Sequence, residues 1–262
     1  MMQSLTPTVK NLLIINIVVF ILNTYVINLT NGFALRSLLS PEFAPHQFVT
    51  YMFLHGGITH LFGNMFGLFM FGPMLERMWG SKKFLIFYMV TGVGAGLLFS
   101  GIDYFENSQI KEAAALYTEY PSPEGMVDFL SQHAKGLYQA SLEFLNKFEE
   151  NPNDSSYIQY SIQIVQGYYN QLINIPMVGA SGAIFGILMA FGMLFPNTEL
   201  FLLFFPFPIK AKYFVTFYGL YELYAGIQNN QSDNVAHFAH VGGMLFAYIL
   251  LRYWNTQRTN FY

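Results

Sequence analysis

Apolar residues come along most of this chain in unbroken runs rather than in alternation with polar ones. Six runs reach or approach the roughly 20 residues needed to cross about 30 Å of hydrocarbon: 11–29, 58–75, 84–102, 179–195, 212–228 and 236–253. The stretch ELFLLFFPFPIK is apolar too, but Pro206, Pro208 and Lys210 make it an interfacial loop leading into the fifth run. Residues 103–176 break the pattern, holding ten of the fifteen acidic residues. Here Ser122-Pro123-Glu124 has the form of an N-cap followed by proline in the first turn. Two polar or amphipathic helices are predicted near 123–149 and 155–173, parted by NPNDSS. The pattern as a whole predicts an all-α polytopic membrane protein. It is one membrane domain over 1–262, six transmembrane helices with a helical extramembrane insertion, 103–176, between the third and fourth. That insertion is a cover, a docking surface or padding; the sequence does not choose.

Composition agrees with a bilayer setting. The chain is 53% hydrophobic, 18% aromatic and 10% charged, with mean hydropathy +0.35, too little polar surface for an ordinary soluble domain. A net charge of −3 with scattered Lys and Arg gives no nucleic-acid footprint. With no cysteine there is no disulfide and no thiol chemistry. The first run ends without a small-x-small cleavage pattern and is read as a retained span. With the N-terminus inside, Lys10, Arg77, Lys82, Lys83, Lys210, Lys212, Arg252 and Arg258 fall on the cytoplasmic side and only Arg36 in a short outside loop. The expected setting is the cell (plasma or inner) membrane, both termini cytoplasmic.

Polar groups in membrane helices carry an insertion cost and normally face the bundle interior. With six spans, the even-numbered ones all enter from the outer side. His60 and Asn64 then lie near the head of span two, Ser181 near the head of span four and His240 near the head of span six, each about 5–10 Å deep at 1.5 Å per residue. His60 and Asn64, four apart, share a helix face and can donate to an oxyanion together with the Ser181 amide, unpaired at a helix start. Neutral His240 can take the proton from Ser181. Gly179, Gly182 and Gly186 around the serine, and Gly242 and Gly243 beside the histidine, allow close helix approach. The packing reading of Ser181 stands beside the nucleophile reading, since Gly182 and Gly186 form a GxxxG by themselves.

No carboxylate is expected near these groups. Asp233 falls in an outside loop, and Glu222 sits near the outer end of span five without a partner in another helix, so the arrangement is a Ser-His dyad rather than a triad. Phe185, a turn below Ser181, either stacks on the imidazole or is an ordinary core or lipid-facing aromatic. His237 supports the cavity or loop, and His55 bonds the first outside loop to the mouth of the site. His60, His237 and His240 invite a metal reading, but HExxH, cysteine and a nearby carboxylate are all missing. The expectation is no metal and no cofactor.

These residues resemble the rhomboid family of intramembrane serine proteases. The matching pieces are HGGITHLFGN with His60 and Asn64, GASGAIFG around Ser181, AHVGG with His240, and LERMWGSKKF, similar to the family's E-x-x-x-G stretch. The resemblance covers about 40–100 and 177–254 and leaves the insertion aside. It implies a rhomboid-like bundle with Ser181 as nucleophile, His240 as base, and His60, Asn64 and the Ser181 amide as the oxyanion hole. His240 is preferred to His237 because only AHVGG places a glycine three residues on. The implied activity is cleavage in or beside transmembrane segments of other membrane proteins, from a site opening to the outer side, with the lipid bilayer as the other partner. Departures are Ala247 in place of a second glycine, which would widen the contact between spans four and six, His46 where an aromatic is common, and Phe185 without a tyrosine's hydroxyl. Two other classes compete: a catalytically silent rhomboid-like protein that binds membrane clients, and a small transporter. The transporter predicts polar groups through the membrane depth or repeated halves; here they cluster at one leaflet. The polar loop IQNNQSDN before span six reads as a cap.

Overall fold

The computed structural model describes residues 5–201, 207–228 and 235–258, with 256–258 as backbone alone. Pro206, Asp233, positions 229–234 of the expected cap and the Arg258 side chain lie outside the described residues. The chain is helical. Helix α1 is Pro7–Tyr25, followed by the short α2 (Thr30–Phe33), α3 (Gln47–Thr50) and a 3-10 turn, Tyr51–Phe53. Then come α4 (Ile58–Trp79), α5 (Ser81–Glu119), α6 (Pro123–His133), α7 (Lys135–Ala140), α8 (Leu142–Glu150) and α9 (Ser155–Ile173). Helices α10 (Ser181–Leu194), α11 (Ala211–Gln228) and α12 (His237–Arg258) complete the order. Between α10 and α11 two short strands, β1 (Glu199–Leu200) and β2 (Ile209–Lys210), pair antiparallel, Glu199 opposite Lys210. Packing divides the chain into two units, one of Met1–Leu35, Ala44–Ser100 and Pro176–Tyr262, the other of Arg36–Phe43 and Gly101–Ile175.

In the first unit α10 is the central helix. Ten of its residues, Gly182–Leu188 and Ala190–Gly192, are buried, the all-round burial of a helix enclosed by others; it packs on α4, α11 and α12, and Ala95 and Thr91 of α5 stand against its Gly182 and Gly186. Helix α1 instead turns Ile14, Ile17, Val18 and Ile21 outward, an apolar surface suited to lipid. Helices α1, α4 and α5 are long and apolar enough to cross a membrane; α10 is apolar but has 14 residues, about 21 Å.

Contact between α10 and α12 is main chain on main chain. A Cβ on Gly243 would lie 1.8 Å from the Gly182 carbonyl oxygen, so any side chain there would force the helices apart. Ala247, fully buried, lies one turn from this closest approach at Gly243. At the other end of α4 the Glu76 carboxylate ties two helix starts together. It accepts from the Thr8 and Val9 amides, both at 2.9 Å, from Ser81 Oγ at 2.6 Å and from Thr6 Oγ1. Those amides are first-turn donors without intrahelical acceptors.

The second unit corrects two expectations. The helix expected to end with the third apolar run continues to Glu119, because KEAAALYTE keeps high helix propensity where apolarity ends and the first breakers are Pro121 and Pro123. The single helix expected over 123–149 is broken at Ala134 and Ser141, which leave helical geometry and are themselves buried. The breaks fold α6 and α8 onto one core of Met126, Phe129, Leu130, Ala134, Leu145 and Phe148 with Val165 of α9. Ser122 Oγ caps α6 by accepting from the Gly125 amide at 3.0 Å, and Asp154 caps α9 through the Ser156 amide at 2.8 Å.

Candidate active site

Ser181 is the first residue of α10, so its amide has no acceptor in the helix. The turn before it depends on Gly179, whose φ of +130° lies in the region that favours glycine. A Cβ there would meet His60 Cε1 and Nε2 at 2.7 Å and approach Asn64 Nδ2 at 3.7 Å. Gly179 therefore presses the chain before the serine onto the two polar residues of α4. The Gly179 amide is held by the Tyr51 carbonyl at 3.0 Å.

His240 Nε2 lies 2.8 Å from Ser181 Oγ, with the ring stacked on Phe185 at 4.1 Å between centroids and 8° between planes. The opposite nitrogen, Nδ1, is 2.8 Å from Glu222 Oε2 on α11, and the same oxygen is 2.6 Å from His237 Nδ1. A carboxylate only accepts, so each Nδ1 carries its proton and donates. This leaves His240 Nε2 with a lone pair toward the serine hydroxyl. Glu222 thus corrects the expectation that it lacks a partner in another helix and that no carboxylate orients the histidine. The signal was present in the sequence: a lone carboxylate within the apolar run LYELYAG is costly unless paired, and His237 and His240, three apart, offer two donors to one acceptor. Missing was the depth match between α11 and the start of α12.

His60 Nδ1 accepts from the Gly56 amide across 3.5 Å, which assigns the ring proton to Nε2, the atom facing Gly179. Asn64 is buried, and its Nδ2 has no hydrogen-bond partner among the described residues, an uncommon condition for a buried donor. Both donors close on Gly179, two residues before Ser181. His55 packs its ring edge-on against His60 at 5.2 Å. Burial, with the neighbouring His60 ring second, pushes its pKa down to about 4. His46, where an aromatic was noted as usual, has Nε2 2.9 Å from the Gly32 carbonyl. Gly182, Phe185, His237 and Gly243, named as supporting residues, all lie around the Ser181–His240 pair.

The arrangement can transfer a proton from a hydroxyl to an imidazole and stabilise negative charge on a neighbouring oxygen. A family profile described as Rhomboid domain matches residues 42–109 and 155–254. An uncharacterized mitochondrial rhomboid protein of Schizosaccharomyces pombe is 27% identical over 203 residues, 77% of this chain and 48% of that protein. The rhomboid protease AarA of Providencia stuartii is 29% identical over 156 residues, 53% of this chain and 52% of its own length. The chain thus matches about half the length of these relatives. With the profile covering both the α4 pair and the segments that carry Ser181, Glu222 and His240, the chain belongs to the rhomboid family.

Proposed function

We propose that this protein is an intramembrane serine endopeptidase that cleaves transmembrane segments of other membrane proteins. The observation that carries the reading is the 2.8 Å contact between Ser181 Oγ and His240 Nε2 beside a buried, unpartnered Asn64 amide. Ser181 Oγ attacks the scissile carbonyl carbon as its proton passes to His240 Nε2. Charge on the carbonyl oxygen is met by Asn64 Nδ2, His60 Nε2–H and the Ser181 amide. His240 then protonates the leaving amine, and water, deprotonated by the same nitrogen, releases the acyl group. Glu222 acts as a positioning residue, fixing the His240 tautomer and balancing the imidazolium that forms.

In this reading α1, α4, α5, α10, α11 and α12 are the six spans of one domain over 1–262, and 103–176 is an extramembrane insertion. Both termini are cytoplasmic and the site opens outward. A helix of about 21 Å that starts at Ser181 does not fill about 30 Å of hydrocarbon, so the serine is recessed. Substrates reach it as extended strands, which favours segments weakened by Gly, Pro or polar residues. A client-binding pseudoenzyme would be expected to have lost the contact on which the chemistry depends.

The test is cleavage of a single-span substrate by the purified chain in detergent, with EDTA as a metal control. Ser181→Ala and His240→Ala should abolish turnover while the parent remains active in EDTA. Cleavage persisting in Ser181→Ala assigns the activity elsewhere.

A further inference from the structure

One hydrogen bond from Nδ1 to a carboxylate is sufficient to orient a general base, yet Glu222 Oε2 serves two imidazoles. One ligand-capable atom from each of Glu222, His237 and His240 lies within 4.8 Å of the others, and all three residues are buried; Glu222 Oε2 is 2.6 Å from His237 Nδ1 and 2.8 Å from His240 Nδ1. We infer that Glu222, His237 and His240 form an inhibitory divalent-cation site, selective for zinc-like ions, whose occupancy switches the nucleophile–base pair off. The inhibitory consequence rests on the protease reading above; the binding itself does not.

Two imidazole nitrogens and one carboxylate oxygen suit Zn2+ and disfavour Mg2+ or Ca2+, which take oxygen ligands. With bonds of about 2.0–2.1 Å in tetrahedral geometry, ligand atoms stand about 3.3 Å apart. The oxygen–nitrogen separations are 2.6 and 2.8 Å, so side-chain shifts of about half an ångström admit the ion. No proton need leave the pair of rings: each neutral imidazole moves its proton from Nδ1 to Nε2 and offers the Nδ1 lone pair to the metal. For His240 that exchange is decisive. Its Nε2, 2.8 Å from Ser181 Oγ, then bears a hydrogen and can donate to the serine but cannot accept its proton. Metal ligation and general-base action therefore compete for one tautomer of one ring.

The experiment uses the full chain in detergent, first stripped with EDTA and then freed of chelator. Co2+ is titrated into Ser181→Ala, in which the proposed ligands are intact, and its visible absorption followed, with Zn2+ as competitor. One equivalent per chain is expected, lost in His237→Gln and in Glu222→Gln. X-ray absorption on the Zn2+-loaded parent, which depends on no variant folding correctly, should show two imidazole ligands. Zn2+ at the concentration that fills the site should lower cleavage by the parent at least tenfold, restored by EDTA. Absence of stoichiometric binding, binding unchanged in His237→Gln, or a zinc shell without two imidazoles overturns the site. Binding without inhibition in a parent that cleaves overturns the switch. A stripped parent that does not cleave counts against the protease reading alone, and the binding arms still decide the site.

Discussion

On the proposed mechanism, Asn64 isolates the oxyanion contribution from the rest of the machinery. Its Nδ2 has no partner among the described residues, so on this mechanism Asn64→Ala removes a group that becomes satisfied only as charge develops. The expected result is a fall in kcat of about 10²–10³ with little change in thermal stability, read by steady-state cleavage and an unfolding scan of the same preparation. His55 titrates in the opposite sense to a paired histidine. With a folded pKa pushed down to about 4 against about 6.5 in an unfolded chain, the unfolded state binds the extra proton first. The stability contributed by neutral His55 is complete above about pH 6.5 and is lost as pH falls from there through about 4. Thermal midpoints measured from pH 7.5 to 4 should decline in that window, and His55→Phe should flatten the decline. At this scale Ser181 on α10, His240 on α12, and His60 with Asn64 on α4 were legible as candidates through motif and spacing, because the named residues of each motif lie on a single helix. The sequence did not show Glu222 against His240, because that pairing depends on how α11 sits beside α12, which no local pattern encodes.

Helix packing determines whether those side chains meet. The close approach of Gly243 to the Gly182 carbonyl makes Gly243→Ala a change in helix separation. Activity should fall by an order of magnitude or more while helicity is kept, the loss traced to a longer Ser181–His240 distance. Gly63→Ala, on α4 with open space where its Cβ would go, is the matched control and should be neutral or stabilising by about 0.5–1 kcal/mol through helix propensity. Glu76→Ala should cost about 3 kcal/mol, since it leaves the Thr8 and Val9 amides without their acceptor; a shift in unfolding midpoint measures it. Element positions were legible where apolar runs, caps and breakers coincide, as at Ser122-Pro123. They were not legible at Ala134 and Ser141, where the helix breaks so that its two halves share a core, a tertiary demand that overrides local propensity.

For the whole molecule, orientation in the bilayer is the property open to direct test. The absence of cysteine makes single introduced cysteines unambiguous reporters. Glu150→Cys should react with an impermeant thiol reagent applied to intact cells, whereas Lys82→Cys should react only after permeabilisation. The reverse pattern would invert the proposed topology. Among the described residues, α1, α4 and α5 alone declare themselves as spans by length and apolarity. The helices that carry Ser181, Glu222 and His240 fall short because α10 has 14 residues, because α11 mixes tyrosines, Lys212 and Glu222 among its apolar positions, and because α12 opens on His237 and His240. The α10–α12 joint has one more consequence. Where two helices meet backbone to backbone, no side-chain rotamer sets their separation, so tail length and fluidity should leave the spacing of serine and imidazole unchanged. The temperature dependence of turnover in different lipids should then report how a substrate unwinds and reaches the site, the machinery itself behaving as a rigid hinge pin around which softer parts of the protein breathe.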